Sequence, residues 1–222
     1  VMSPIEKVMT GLPGYLVVVV LMQLLWWFGI HGPNVMGAVT SPFMTKMMAQ
    51  NLALYQSGEG VTASGVFYTA GSQNSIISGP FGAGWRCPTG SGITMGLIIA
   101  VMLFSKRDDF KAIAKLAIPC GIFNINEPII FGIPMVMNAL FAVTFFLAPI
   151  ACVCCGYLVQ SMGLCQLFVI DVPWTTPVGL FGFLASSGNI MGAILQALII
   201  LGVSTLIYTP FVIASNRQTE EA

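Results

Sequence analysis

GIFNINEPIIFGIPM, residues Gly121 to Met135, sets one carboxylate, Glu127, beside two asparagines, Asn124 and Asn126, in a run of Ile, Phe, Gly and Pro. Pro128 and Pro134 forbid one uninterrupted helix here, because proline donates no N–H and disfavours a helical residue before it. In water, NEP would simply be a turn with a solvated acid. The apolar flanks CGIF and IIFGIPMVM argue against that. They put the acid in a broken element within a membrane, where a charge at depth costs about 2.5 to 3.5 kcal/mol and therefore faces protein or a water-filled path.

Composition supports this solvent. Charged residues are 7% of the chain and hydrophobic ones 56%, with a mean hydropathy of +0.89. No Asp, Glu, Lys, Arg or His occurs from Pro128 to Ile170 or from Val172 to Asn216, and each stretch exceeds the roughly 20 residues that a spanning helix needs. Eight basic and eight acidic side chains give zero net charge and no basic patch suited to nucleic acid. The six cysteines match no secreted disulfide framework. The CVCC cluster is far in sequence from the single histidine, so the cysteines are expected to pack as small apolar residues, with no metal and no cofactor. No cleavable leader is expected, because the first apolar run is long enough to span and ends in Trp26 and Trp27.

The expected fold class is an all-α membrane protein with about four transmembrane helices, an amphipathic helix and two re-entrant hairpins. Leu12 to Ile30 is the first span, HGPNVMGAVTSP breaks regularity, and Phe43 to Leu54 is amphipathic. Gly58 to Gly84, rich in Gly, Ser and Thr, suits a re-entrant hairpin, and Cys87 to Ser105 forms the second span. Leu116 to Asn138, with three prolines and Glu127, is a broken or re-entrant element. Ala139 to Gln160 and Asn189 to Ala214 complete the spans. Lys106, Arg107, Lys111 and Lys115 crowd one short loop, which the positive-inside rule assigns to the cytoplasm, with the C-terminus on the same side.

Several polar residues at depth are candidates for function. His31 lies between Gly29 and Gly32 in WWFGIHGPNV, just past a span; a lone histidine there is more often interfacial or capping than a ligand contact, although the glycines reduce crowding around it. PTGSGITMG (Pro88 to Gly96) lacks the lysine of a phosphate-binding loop, and Trp174 in VPWTTP could belong to an interfacial aromatic belt. Together an acid, a histidine, amides, hydroxyls and tryptophans suit carbohydrate, because carboxylates and amides bond hydroxyls while aromatic faces cover the apolar face of a pyranose. A coupling-ion site also uses a carboxylate, so an ion-coupled transporter is the alternative.

GIFNINEPIIFGIPMVMN resembles the signature of the enzyme IIC membrane permease of the lactose, cellobiose and N,N'-diacetylchitobiose class of the bacterial phosphoenolpyruvate-dependent sugar phosphotransferase system. WWFGIHGPNV, GSGITMGL, VPWTTP, GFLASSGN and IYTPF follow the family's order. The usual GG[ST]GAT stands here as TGSGIT, with Thr89 and Ile93 in place of Gly and Ala, and NALF replaces the more usual NPL. The resemblance implies that residues 1–222 are the C-terminal, sugar-binding part of a IIC domain of about ten spans, with the N-terminal spans absent; a truncated, non-functional permease is the further alternative. It implies a bacterial plasma-membrane protein, a homodimer when complete, that binds a β-linked disaccharide and presents it to a phosphorylated enzyme IIB. That separate component carries the phosphoryl group. By the same resemblance, Glu127, His31, Asn126, Gly90, Gly92 and Trp174 contact the sugar.

The charge pattern generates a topological expectation. With the native cysteines replaced, a cysteine at Lys111 should react with an impermeant maleimide only after the membrane is opened. Labelling from outside intact cells would invert the orientation.

Overall fold

The computed structural model describes residues 8–58 and 75–220, and among these residues it contains helices and turns but no strand. Helix α1 (Leu12–Trp27) carries a proline in its first turn, where the missing N–H costs nothing, and ends before Gly29 at φ 78°, a left-handed stop suited to glycine. Helix α2 (Gly32–Ser57) runs unbroken for 26 residues. The break expected over HGPNVMGAVTSP is absent, and the expected amphipathic segment Phe43–Leu54 is the second half of this helix. Pro33 lies in the first turn. Pro42 is accommodated inside the helix, so proline here does not end the element.

Of the hairpin expected over Gly58 to Gly84, residues 59–74 lie outside the described residues. After them the chain is clamped to α2: the Asn51 amide donates to the Ser75 carbonyl at 2.6 Å and accepts from the Ser75 N–H at 3.0 Å. Helix α3 (Gly79–Trp85) follows, then an irregular turn, then α4 (Met95–Phe104). The expected second span, Cys87 to Ser105, is therefore helical only in its second part. Ten residues rise about 15 Å, half a hydrocarbon core. The Leu116 to Asn138 element is broken as expected, into α5 (Asp108–Ile122), a turn, and α6 (Glu127–Gly132). Asp108 and Asp109 occupy the first turn of α5, where negative charge suits the helix dipole. The Arg107 guanidinium grips both oxygens of Asp109, at 3.2 and 2.6 Å, and holds its carboxyl below the usual range.

Among the described residues, two helices are long and apolar enough to cross a membrane: α7 (Ala139–Ser161), and the apolar portion Ile190–Asn216 of the last helical stretch. That stretch comprises α9 (Ile190–Ala197), a π-helical segment (Leu198–Val203) and α10 (Ser204–Glu220); a short helix α8 (Leu180–Ala185) precedes it. Only 44% and 22% of the two spans' apolar windows are buried within the chain. The outward faces carry Val143, Leu158, Leu198 and Leu206, surfaces suited to lipid or further protein. With α1, at 16 residues and about 24 Å, these helices frame the two broken elements.

Small residues set the packing distances. A side chain at Gly156 of α7 would collide with the Trp85 ring, which stacks on Phe168 with centroids 5.4 Å apart. At Gly96 of α4 it would strike Ser204 of α10. Such approaches are how helices associate where lipid removes the hydrophobic drive between them. The loop after α4 is fixed to the end of α10 as well, because the Asn216 amide accepts from the Lys106 N–H at 2.8 Å and donates to the Phe104 carbonyl at 3.0 Å. The loop expected to hold all four basic residues is only residues 105–107, with Lys111 and Lys115 on the first turns of α5, and it lies at the same end of the molecule as residue 216.

Gly156→Val should cost about 1–3 kcal/mol by overpacking against Trp85. A thermal melt in detergent should show a lowered midpoint.

Candidate functional site

The site is built where two helices fail to continue. Between α3 and α4, residues Thr89, Gly90, Gly92 and Ile93 all take positive φ (62°, 87°, 83° and 52°). Glycine adopts this region freely and β-branched residues do so at a cost. Thr89 and Ile93, the two departures from the family pattern, are the costly positions. Thr89 is compensated by its bonds: its hydroxyl accepts from the Met95 N–H at 3.2 Å and its carbonyl accepts from the Thr94 hydroxyl at 2.9 Å. The two glycines answer to close packing. A Cβ at Gly90 would run into the Asn126 side chain, and one at Gly92 would lie 2.5 Å from the Phe145 ring.

The second turn, between α5 and α6, faces the first. Asn124, at φ 67°, accepts from the Thr89 N–H at 2.6 Å through its side-chain oxygen. Its amide nitrogen donates to the carbonyls of Trp174, at 2.5 Å, and Thr176, at 2.9 Å. Asn126 donates to the Ser91 carbonyl at 2.6 Å. Asn124, Asn126, Thr89, Ser91 and Thr94 are all buried. Tyr208, reaching in from α10, donates its hydroxyl to the Gly92 carbonyl at 2.7 Å. Turn backbone is thus satisfied by protein rather than water, as depth in a membrane requires.

Of the six expected site residues, Gly90, Gly92, Asn126, Glu127 and Trp174 belong to this assembly. Glu127 follows Asn126 directly, opens α6 and is half-buried; no basic side chain pairs with it among the described residues. Trp174 is 64% exposed and its loop is fastened through its own carbonyl. His31 sits apart in the hydrogen-bond pattern. Its Nδ1 accepts from the Asn34 N–H at 3.3 Å and caps α2, which leaves the proton of a neutral ring on Nε2. The ring lies 4.9 Å from that of Trp26, and Trp26 packs in one cluster with Ile129 and Ile130 of α6, so His31 is joined to the Glu127 helix through an aromatic contact.

The sequence did not single out Asn124 or Tyr208 as members of the site. For Asn124 a signal existed in its place beside Asn126, but an asparagine in a turn is ordinarily read as a turn former. Tyr208 stands in IYTPF, one of the stretches that follow the family's order, but there it reads as one more aromatic of an apolar helix, and its contact across 116 positions reveals the role. Among the described residues no three His, Cys, Asp or Glu side chains converge as a metal site would need, and the six cysteines are free thiols.

Known proteins share much of this sequence and fold. The family described as phosphotransferase system, EIIC matches residues 7–149. The cellobiose-specific EIIC component of Lactococcus lactis subsp. lactis is 35% identical over 98% of this chain and 46% of its own length. The lactose-specific EIICB component of Staphylococcus aureus is 31% identical over 93% of this chain and 34% of its own. The crystal structure of the transporter ChbC, the IIC component from the N,N'-diacetylchitobiose-specific phosphotransferase system, superposes with a TM-score of 0.86 at 33% identity, covering 97% of this chain and 47% of that one. The chain spans less than half the length of these relatives. It belongs to the phosphotransferase system EIIC family.

Tyr208→Phe removes one buried donor and leaves the Gly92 carbonyl unpaired, at a cost of about 1–3 kcal/mol. Amide exchange over residues 89–94 should accelerate, while exchange in α7 should change little.

Proposed function

We propose that this chain is the sugar-holding part of a phosphotransferase-system permease, which binds a β-linked disaccharide and presents a hydroxyl to a phosphorylated IIB partner. The observation that carries this reading is the convergence of the Asn124–Asn126 turn, which leads directly into Glu127, with the Gly-rich turn and the Trp174 loop in a chain of the EIIC family. A carboxylate, backbone groups of a tight turn and an exposed indole supply the acceptors, donors and flat apolar face that a pyranose demands. In this role Glu127 accepts from a sugar hydroxyl and Trp174 covers the ring, while Asn126, whose amide nitrogen donates to the Ser91 carbonyl, offers the sugar its side-chain oxygen. His31 donates from Nε2, opposite the nitrogen used in capping α2.

The names of the relatives favour the substrate class, since they include cellobiose and lactose components and a diacetylchitobiose transporter. A partner IIB suits the lactose relative, whose name joins C and B components. No cysteine of this chain is assigned a phosphoryl-carrier role. The basic segment at 105–115, a short loop and the first turns of α5, is assigned to the cytoplasmic face, near IIB, with residue 216 at the same end.

In the complete permease, Glu127→Gln keeps size and one acceptor but loses the charge. Binding of cellobiose should weaken at least about tenfold, as expected for a lost charge-assisted hydrogen bond. Phosphorylation should fall with it and membrane insertion should not. His31→Ala should behave alike, whereas Cys154→Ala should bind as the parent does. Parent-like binding and phosphorylation by Glu127→Gln would make the acid structural and remove this reading.

A further inference from the structure

The best-connected side chain of the site is not one expected to touch sugar. Asn124 joins three segments remote in sequence: its own turn, the Gly-rich turn through the Thr89 N–H, and the Trp174 loop through two carbonyls. Both ends of its amide are in use, and it is 8% exposed, so it has little left for a ligand. The segments it joins differ greatly in burial. Thr89 is buried, whereas Trp174 is exposed and lies on a short loop between Pro173 and Pro177, closed by a Thr176 N–H bond to the Pro173 carbonyl. An exposed indole on such a loop has no packed bed of its own. Its position relative to Glu127, three residues along the chain from Asn124, depends on the two bonds to the loop's carbonyls.

We infer that Asn124 is a positioning residue for the sugar site, which acts on binding through Trp174 by holding the 173–177 loop in register with Glu127. The inference rests on the proposed sugar-binding function, and it adds a division of labour within the NIN turn. Asn126 faces the Gly-rich turn alone, while Asn124 also sets the aromatic wall. The two bonds cannot be replaced by a residue of the same shape without a donor. Asn124→Asp keeps the oxygen that accepts from Thr89 and turns a second oxygen toward two carbonyls, which repel it.

Two measurements on the complete permease test this. The first needs no ligand. In Asn124→Asp, hydrogen exchange should rise in the peptide covering 172–178 and stay protected around Thr89; in Asn124→Gly, which suits φ 67° and removes all three bonds without backbone strain, it should rise in both. The second is a cycle with Trp174→Ala, read as the equilibrium dissociation constant for cellobiose. Alone, Asn124→Asp should weaken binding about tenfold or more. In the Trp174→Ala background it should change binding less than about twofold, because the two act as one unit. Unchanged exchange at 172–178 in both variants would overturn the inference. So would a loss of affinity that is equally large with Trp174 already removed. If the unsubstituted permease bound no disaccharide, the functional proposal would fall, and exchange would still decide the clamp.

Discussion

Two helices stop in the apolar interior of this chain, and the fold depends on where the freed backbone groups find partners. Hydrocarbon offers none, and each unmet N–H or carbonyl costs several kcal/mol at depth. The solution is reciprocal. Turn 124–126 accepts from Thr89 and donates to Ser91, so each irregular segment supplies what the other lacks. Without that exchange neither turn would be tolerable where it lies, and α3 and α5 would have no reason to stop, nor α4 and α6 to begin, where they do.

The surrounding packing serves the same pair of turns. Trp26, Ile129, Ile130, Phe145 and Tyr208 form one apolar cluster, from which Tyr208 extends its hydroxyl to Gly92. Phe145 lies so close over Gly92 that no side chain fits there, and Asn126 does the same over Gly90. Glycine is thus required twice, by φ and by contact. The strain carried at Thr89 and Ile93 is tolerated only inside this network, and residues held in sparsely populated conformations gather where function needs a fixed geometry.

Function follows from what the network leaves over. Glu127 is half-buried with no cationic partner among the described residues, Trp174 presents its face outward, and His31 uses one ring nitrogen on a helix cap and keeps the other. Polar groups already engaged hold the frame, and in the proposed function those still available are the ones that meet the disaccharide. This division separates Asn124, which holds, from Glu127, which binds in the proposed function, although the two are three positions apart.

How much of this was legible without coordinates varies by residue. The long uncharged runs at 128–170 and 172–216 determined a helical membrane chain, because hydrocarbon admits little else at such length. Glu127 between prolines determined that one element must be broken. The sequence misjudged continuity at two places. Pro33 and Pro42 suggested a break in what is one helix, α2, since a first-turn proline sacrifices no bond and an interior one can be absorbed. The GLIIAVMLF run suggested a full span at 87–105, whereas positive φ at four nearby residues confines the helix to α4. Only tertiary structure decided the partners of Asn124, Asn126 and Tyr208, at separations of 35 to 116 residues. Periodicity and composition act along the chain, while a hydrogen bond between two turns depends on how whole helices pack, and no local pattern encodes that distance.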